Sequence, residues 1–412
     1  MNNFITASHA QGKGKEPDAV FAVLKRAKDA IAVLGKDKVI NAVIGSIYDD
    51  EGRFVTLPSV NEYFRQIPAE EMMDYAPIAG LPDFLEAAID YTFQDSKPEN
   101  VFIKAVSTPG GTGAIRHSFF NYAELGQKVL IPDWFWGPYR TIAEEHGIKV
   151  DTYVMFDKEY NFTLSSIKHK SEELLKVQDR LVIIFNTPGH NPTGYSMTEK
   201  DWLEVLKFYK ECAKNKQKKI VLVLDIAYID YVGKPSETRK FMKLLGGLPE
   251  NILITIAFSM SKSFTMYGMR SGALIGLSSS QEEAEEFSRI NSYSSRGVWS
   301  NGTRGAQRLL TEVMKDPALR AKIDAERKKY RELIYRRADI FLKEAREIGL
   351  VTLPYHGGFF ITVPAQDPKA AAEKLALDNI YVVPLKMGLR LAVCALPTYQ
   401  IPGLAAKIKA VL

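Results

Sequence analysis

The stretch Ile252-Leu-Ile-Thr-Ile-Ala-Phe-Ser-Met-Ser-Lys262-Ser-Phe-Thr-Met-Tyr-Gly-Met-Arg270-Ser-Gly272 decides how this chain is read. Its first seven residues are an unbroken apolar run, the pattern of a strand buried on both faces of a parallel sheet. Lys262 follows just past that strand, among the small hydroxyl residues Ser259, Ser261 and Ser263. An amine at such a strand end meets a partly dry pocket. Desolvation lowers its pKa and makes the neutral, nucleophilic form accessible near neutral pH. Eight residues on, Arg270 offers a planar guanidinium suited to bidentate binding of phosphate. Alone, the lysine reads more simply as part of a surface Ser/Lys loop; the rest of the chain reverses that preference.

Working outward, apolar runs alternate with helical stretches from about 80 to 280: Val101–Val106, Val129–Ile131, Thr152–Phe156, Leu181–Phe185, Ile220–Leu224, Ile252–Phe258 and Ala273–Leu277. This alternation predicts an α/β domain with a mainly parallel, doubly wound sheet. Upstream, residues 17–34 have helical spacing, and Val39–Gly45 reads as extended. After about 303 a helix-rich region with Pro317 and the charged stretch Arg327–Arg346 leads to shorter strands near Phe359–Val363 and Leu389–Val393, predicting a smaller α/β domain joined in space by the amino-terminal helix. A chain of 412 residues, 46% hydrophobic and 25% charged, fits two soluble domains. The formal net charge of +5 is small for this length, and the densest basic run, Lys214–Lys219, reads as the solvated end of a helix over 198–216; no nucleic-acid partner is expected. The two cysteines, Cys212 and Cys394, make neither a disulfide framework nor a metal cluster. No run approaches membrane-spanning length and the start lacks a leader pattern, so a cytoplasmic protein with no membrane partner is expected.

Open α/β sheets bind ligands beyond the carboxyl ends of their strands. After the first run come Gly110, Gly111, Thr112 and Gly113, where backbone amides and a hydroxyl can approach a phosphate at a helix N-terminus. After Leu181–Phe185 comes Asn186-Thr-Pro-Gly-His-Asn191-Pro-Thr-Gly194; Asn191, held extended before proline, can donate to a phenolate oxygen. After Ile220–Leu224 come Asp225, costly to bury unless paired with a cation such as a protonated pyridine nitrogen, and Tyr228, able to reach the same phenolate. After Val129–Ile131 comes Trp134, a plane that can stack on a flat ring. Each motif has a plainer reading as a turn or as core packing. Four strand ends that together supply what one flat phosphorylated aldehyde needs point to pyridoxal phosphate.

From about residue 40 to 395 the chain resembles fold type I, class I aminotransferases, above all those acting on aspartate and aromatic amino acids. The Lys262 motif and Asn191-Pro-Thr-Gly194 carry the resemblance. It implies that Lys262 joins the cofactor and shuttles protons, that Asp225 pairs with the ring nitrogen, and that Asn191 and Tyr228 bind the phenolic oxygen. Trp134 would stack on the ring, while Gly111, Thr112, Ser259 and Arg270 would hold the phosphate. Tyr75 resembles the tyrosine that reaches the phosphate of a neighbouring subunit, implying a homodimer with shared sites. Arg390 resembles the arginine that binds the substrate α-carboxylate. The segment Ile44–Tyr48, with Gly45, resembles the lining of the substrate entrance, where Trp134 and Asn191 also face substrate. The implied division is a segment 1–50 packing with the small domain, a cofactor-binding domain 51–302 and a small domain 303–412. The match departs at one place: the histidine these enzymes often carry three residues after the stacking tryptophan, supporting the aspartate, is Gly137 when counted from Trp134.

Arg296, in Ser295-Arg-Gly-Val-Trp-Ser-Asn301, resembles a second arginine given across the dimer to bind a distal carboxylate, as of aspartate, glutamate or 2-oxoglutarate. Relatives with this arginine also take aromatic substrates, and Trp299 leaves that open. Rival readings are a lyase, decarboxylase or synthase on the same fold, and a cofactor-sensing regulator fused to a DNA-binding domain. The paired arginines favour transamination, and about 40 residues before the first matched strand are too few for a DNA-binding domain.

Overall fold

In a computed structural model, which describes residues 5–15 and 18–412, the apolar runs assemble into one seven-stranded sheet. Its strands follow a two-residue β1 (Ile40–Asn41): β2 (Phe102–Thr108), β3 (Lys128–Pro132), β4 (Lys149–Tyr153), β5 (Arg180–Asn186), β6 (Lys219–Asp225), β7 (Ile252–Ser259) and β8 (Gly272–Ser278). Their spatial order is β2-β8-β7-β6-β5-β3-β4. All eight residues of β7 are buried, as expected for a central strand covered on both faces. The pairs β3–β4, β3–β5, β5–β6 and β6–β7 are parallel.

One strand runs the other way. β8 lies antiparallel between β7 and β2. The connection from β7, residues 260–271, holds only the one-turn helix Met260–Ser263; a parallel return needs a longer crossover, so the chain turns straight back. β4 also begins three residues before the expected start at Thr152, because its register pairs Lys149 with Lys128 at the start of β3.

Beyond the sheet, the helix Pro317–Glu347 runs for 31 residues. Pro317 occupies its first turn, where no intrahelical donor is lost, and Asp316 caps it. Ile334, Ala338 and Phe341 on this helix pack with Phe360 and Leu391, which belong to the antiparallel strands β9 (Phe360–Pro364) and β12 (Gly388–Ala392); β10 (Ile380–Tyr381) and β11 (Val383–Pro384) complete the region. β1 pairs parallel with β10. The amino-terminal helix, Ala19–Leu34, is capped by Asp18; residue 17, where spacing placed its start, lies outside the described residues, as do residues 1–4 of the stretch read for a leader. Leu24 and Ala27 of that helix pack with Tyr381 and Val383. No described helix is long and apolar enough to cross a membrane.

Candidate active site

The sheet register brings the strand-end groups side by side. Asn186 closes β5 opposite Asp225 at the end of β6, and its side-chain amide donates to the Asp225 carbonyl at 3.0 Å. The Asn186 Oδ1 in turn accepts from the Asn191 N–H at 2.7 Å, which folds the loop carrying Asn191 back over the strand ends. Ser259 closes β7 and caps the one-turn helix that carries Lys262. The result is a cavity walled by Gly111, Thr112, Trp136, Asn191, Asp225, Tyr228, Ser259, Lys262 and Arg270, with Ile115, Asn186, Ala227, Ser261 and Tyr267 between them.

Lys262 points into this cavity. Its Nζ donates to the Gly45 carbonyl at 3.1 Å and sits 4.7 Å from the Tyr267 ring centroid. A side chain at Gly45 would collide with the Phe360 ring, its Cβ falling 2.7 Å from Cζ. Burial brings the Lys262 pKa down to about 8, helped by Arg270 and Arg390 and opposed by Cys394 and Asp225. Below pH 8 the amine is therefore mostly cationic, and above it mostly neutral. In protein free of cofactor, the rate at which a small aldehyde reagent modifies Lys262 should rise through a midpoint near pH 8 rather than above pH 10. Mass-spectrometric rates across pH would read this, and a midpoint above pH 10 would refute it.

The charges around the cavity lack partners. Asp225 is buried, and burial raises its pKa against the hydrogen bonds from Tyr139 and Ala227. The Tyr139 hydroxyl donates to Oδ2 at 2.6 Å and the Ala227 N–H to Oδ1 at 3.1 Å. No described cation stands within ion-pair distance of it. Arg270, in the left-handed region at φ 49, donates only to neutral acceptors: Ser261 Oγ at 3.2 Å and the carbonyls of Tyr267 and Pro109 at 2.9 and 3.4 Å. It lies against Gly110, whose φ is +67 and where a Cβ would sit 3.1 Å from Nη2. The helix opening there, Gly110–Tyr122, has no side-chain cap, so its first N–H groups face the cavity side uncommitted. Arg390 is 6% exposed. It lies over the Phe360 ring at 4.3 Å, donates to Asn191 Oδ1 at 3.2 Å and the Val43 carbonyl at 2.9 Å, and its Nε has no partner.

The reading of Trp134 needs correction. Trp134 is buried in the core with Met155 and Phe185, away from the cavity wall; Asp133 Oδ1 holds this turn by accepting from the N–H groups of Trp134 and Met155. The wall is formed by Trp136. Counting three residues from Trp136 gives Tyr139, not Gly137, and Tyr139 supports Asp225 directly. The spacing was in the sequence, in Trp136-Gly-Pro-Tyr139, but two tryptophans two residues apart left the register open. Tyr267 and Ser261 were within the quoted lysine stretch without a role. Tyr75 and Arg296 do not join the cavity within one chain. Tyr75 is 80% exposed, and Arg296 stands exposed near the end of the helix Gln281–Val298, donating to Ser300 Oγ at 2.7 Å.

The family model "Aminotransferase class I and II" matches residues 37–408. A solved aminotransferase from Anaerococcus prevotii is 38% identical, with 98% of each chain covered and a TM-score of 0.96. The mitochondrial aspartate aminotransferase of Schizosaccharomyces pombe is 26% identical over 74% of this chain and 68% of its own length. An aromatic amino acid aminotransferase from Burkholderia cenocepacia, 21% identical over 98% of both chains, shares the fold with a TM-score of 0.80.

Proposed function

Because this chain belongs to the class I and II aminotransferases, it is a transaminase, and we propose that it uses pyridoxal phosphate to move an amino group between an L-amino acid, aspartate and/or an aromatic one, and a 2-oxo acid such as 2-oxoglutarate. The observation that carries this is a set of unpaired charges in and beside one cavity: the buried Asp225 without a cation and Arg270 without an anion on its wall, and Arg390, also without an anion, bonded to the wall residue Asn191.

The residues present fit the cofactor. Arg270, with no carboxylate partner, and the uncapped helix N-terminus at Gly111 and Thr112 make a cradle for a phosphate dianion, joined by Ser259 and Ser261. Asp225 would take the ring nitrogen, Asn191 and Tyr228 the ring hydroxyl, and Trp136 would cover the ring. When bound, pyridoxal phosphate supplies an aldehyde for the amino group and a cationic ring that accepts electrons from the α-carbon.

The chain's own groups do the rest. Arg390 anchors the α-carboxylate with the guanidinium edge whose Nε has no protein partner. The neutral fraction of Lys262, made accessible by burial, takes the α-proton on Nζ and returns one in the reverse half. The Tyr267 ring lies against the amine and the Phe360 ring against Arg390. Tyr139 keeps Asp225 hydrogen-bonded at the cavity floor. Replacing Tyr139 with phenylalanine removes a donor to a buried carboxylate, a loss of about 1.5–3 kcal/mol. Cofactor affinity should fall roughly 10- to 100-fold, read by absorbance titration, and an unchanged affinity would remove Tyr139 from the site.

The exposed Tyr75 and Arg296 support a homodimer in which each reaches the neighbouring site, Arg296 for a distal carboxylate. The segments 51–302 and 303–412 are read as the cofactor-binding and small domains, with 1–50 on the latter. The test is a spectrum of the purified protein with single amino acids and no keto acid: aspartate, glutamate, tyrosine, phenylalanine and alanine. A shift of the cofactor band with stoichiometric keto acid sets the donor. No response to aspartate or to any aromatic amino acid would overturn the substrate reading.

A further inference from the structure

The helix that opens on the phosphate cradle, Gly110–Tyr122, is zipped by buried polar groups to the helix Gln281–Val298. Asn121 donates to Asn291 Oδ1 at 2.9 Å and accepts from Ser294 Oγ at 2.8 Å, and Asn291 donates to the Tyr122 hydroxyl at 2.8 Å. One turn nearer the cradle, His117 is completely buried, with Nε2 3.0 Å from Ser295 Oγ. Arg116 Nη1 lies 3.1 Å from His117 Nδ1. A guanidinium can only donate, so Nδ1 accepts, and the neutral ring carries its proton on Nε2 and donates it to Ser295. Burial, with Arg116 alongside, keeps this ring neutral, its pKa lowered to about 3.

The same imidazole stacks on Trp299, centroids 4.4 Å apart and planes 24° from parallel. Trp299 and Ser300 both return N–H bonds to the Ser295 carbonyl, at 3.1 and 2.9 Å. Ser300, at φ 71, accepts from Arg296 at 2.7 Å. Arg296 thus stands with Gly297 and Val298 on the exposed side of a turn whose two flanks, Ser295 and Trp299, both rest on His117. An arginine has about 2 kcal/mol of rotamer entropy to lose, and small misplacements of a binding group cost much affinity.

We propose that His117 and Trp299 are positioning residues for substrate choice: the bond of His117 to Ser295 and its stack on Trp299 set where Arg296 projects, and so set the preference for dicarboxylic over monocarboxylic substrates. This rests on the reading of Arg296 given above. The cradle helix then has two duties, a phosphate site at its N-terminus and a specificity clamp one to two turns along.

The test compares holoenzyme variants by two readouts. One is the ratio of kcat/KM for 2-oxoglutarate over phenylpyruvate; the other is the Kd ratio of succinate to propionate, unreactive acids, by calorimetry. Trp299→Ala should lower the dicarboxylate preference on the order of 10-fold in both, while Trp299→Phe, which keeps a ring for His117 to stack on, should restore most of it. His117→Phe, which keeps the stack and loses the bond to Ser295, should fall between, and it decides the matter if Trp299→Ala does not fold. Uniform loss for both acid classes, or no change, overturns the clamp. Arg296→Ala separates the two readings. If it lowers the preference and the Trp299 and His117 variants do not, the clamp alone fails. If it leaves the preference intact, the dicarboxylate reading itself fails.

Discussion

Replacing Lys262 with alanine is expected to cut transaminase turnover by on the order of 10^4-fold or more while cofactor is still bound. The size follows from the other titratable groups in and near the cavity. Tyr228 and Tyr267 are phenols whose pKa values burial pushes up, and the Cys394 thiol is pushed up to about 12, again by burial; none can serve as a base near neutral pH. Asp225 is taken up by Tyr139 and Ala227. Only the lysine, brought down to about 8, offers a neutral amine, and Lys262→Arg should therefore fail as completely because a guanidinium stays charged. Single-turnover absorbance with aspartate reads the rate. Residual turnover above about 1% of wild type would refute the assignment, since a loss of less than about 100-fold is smaller than a single acid–base group supplies.

The second large effect is at Arg390. Truncating one side of a buried charge pair costs about 2–5 kcal/mol, so Arg390→Ala should lower kcat/KM on the order of 10^3-fold. Every amino acid has an α-carboxylate, and the loss should be similar for aspartate and phenylalanine. Arg390→Lys should recover little, because a point charge cannot reproduce the fork that also reaches Asn191 and Val43. Parallel kcat/KM values for the two substrates read it. A loss confined to aspartate would mean that Arg390 reads the side chain, and would reassign it.

Much of this architecture was legible because parallel strands buried on both faces are unbroken apolar runs, and β5, β6 and β7 are such runs. Asp225 could be named because ligand groups gather at strand ends, and Ser259 through the family resemblance; Asn186, which ties Asp225 to the Asn191 loop, was given no role. What was not legible depended on register and reversal. β8 is as apolar as its neighbours, and nothing in its own residues gives its direction; the short connection through Lys262 does. Trp134 and Trp136 are chemically alike, and only the turn held by Asp133 decides which one enters the core. Tyr139 was obscured by the same ambiguity. The clamp at His117 joins residues about 180 apart in sequence, a distance over which no local pattern speaks.

The surroundings of Lys262 and Arg390 depend on contacts that span nearly the whole polypeptide. Val43 meets Arg390, Gly45 meets Lys262, and β1 pairs with β10. A chain growing on the ribosome emerges from its amino end. The phosphate cradle, Asp225 and Lys262 all lie within the first 270 residues and can pack as soon as the large sheet forms. Arg390 comes later, and until residues 380–381 emerge the strand Ile40–Asn41 has no partner to join. Synthesis therefore completes the strand ends around Lys262 first and adds Arg390 last.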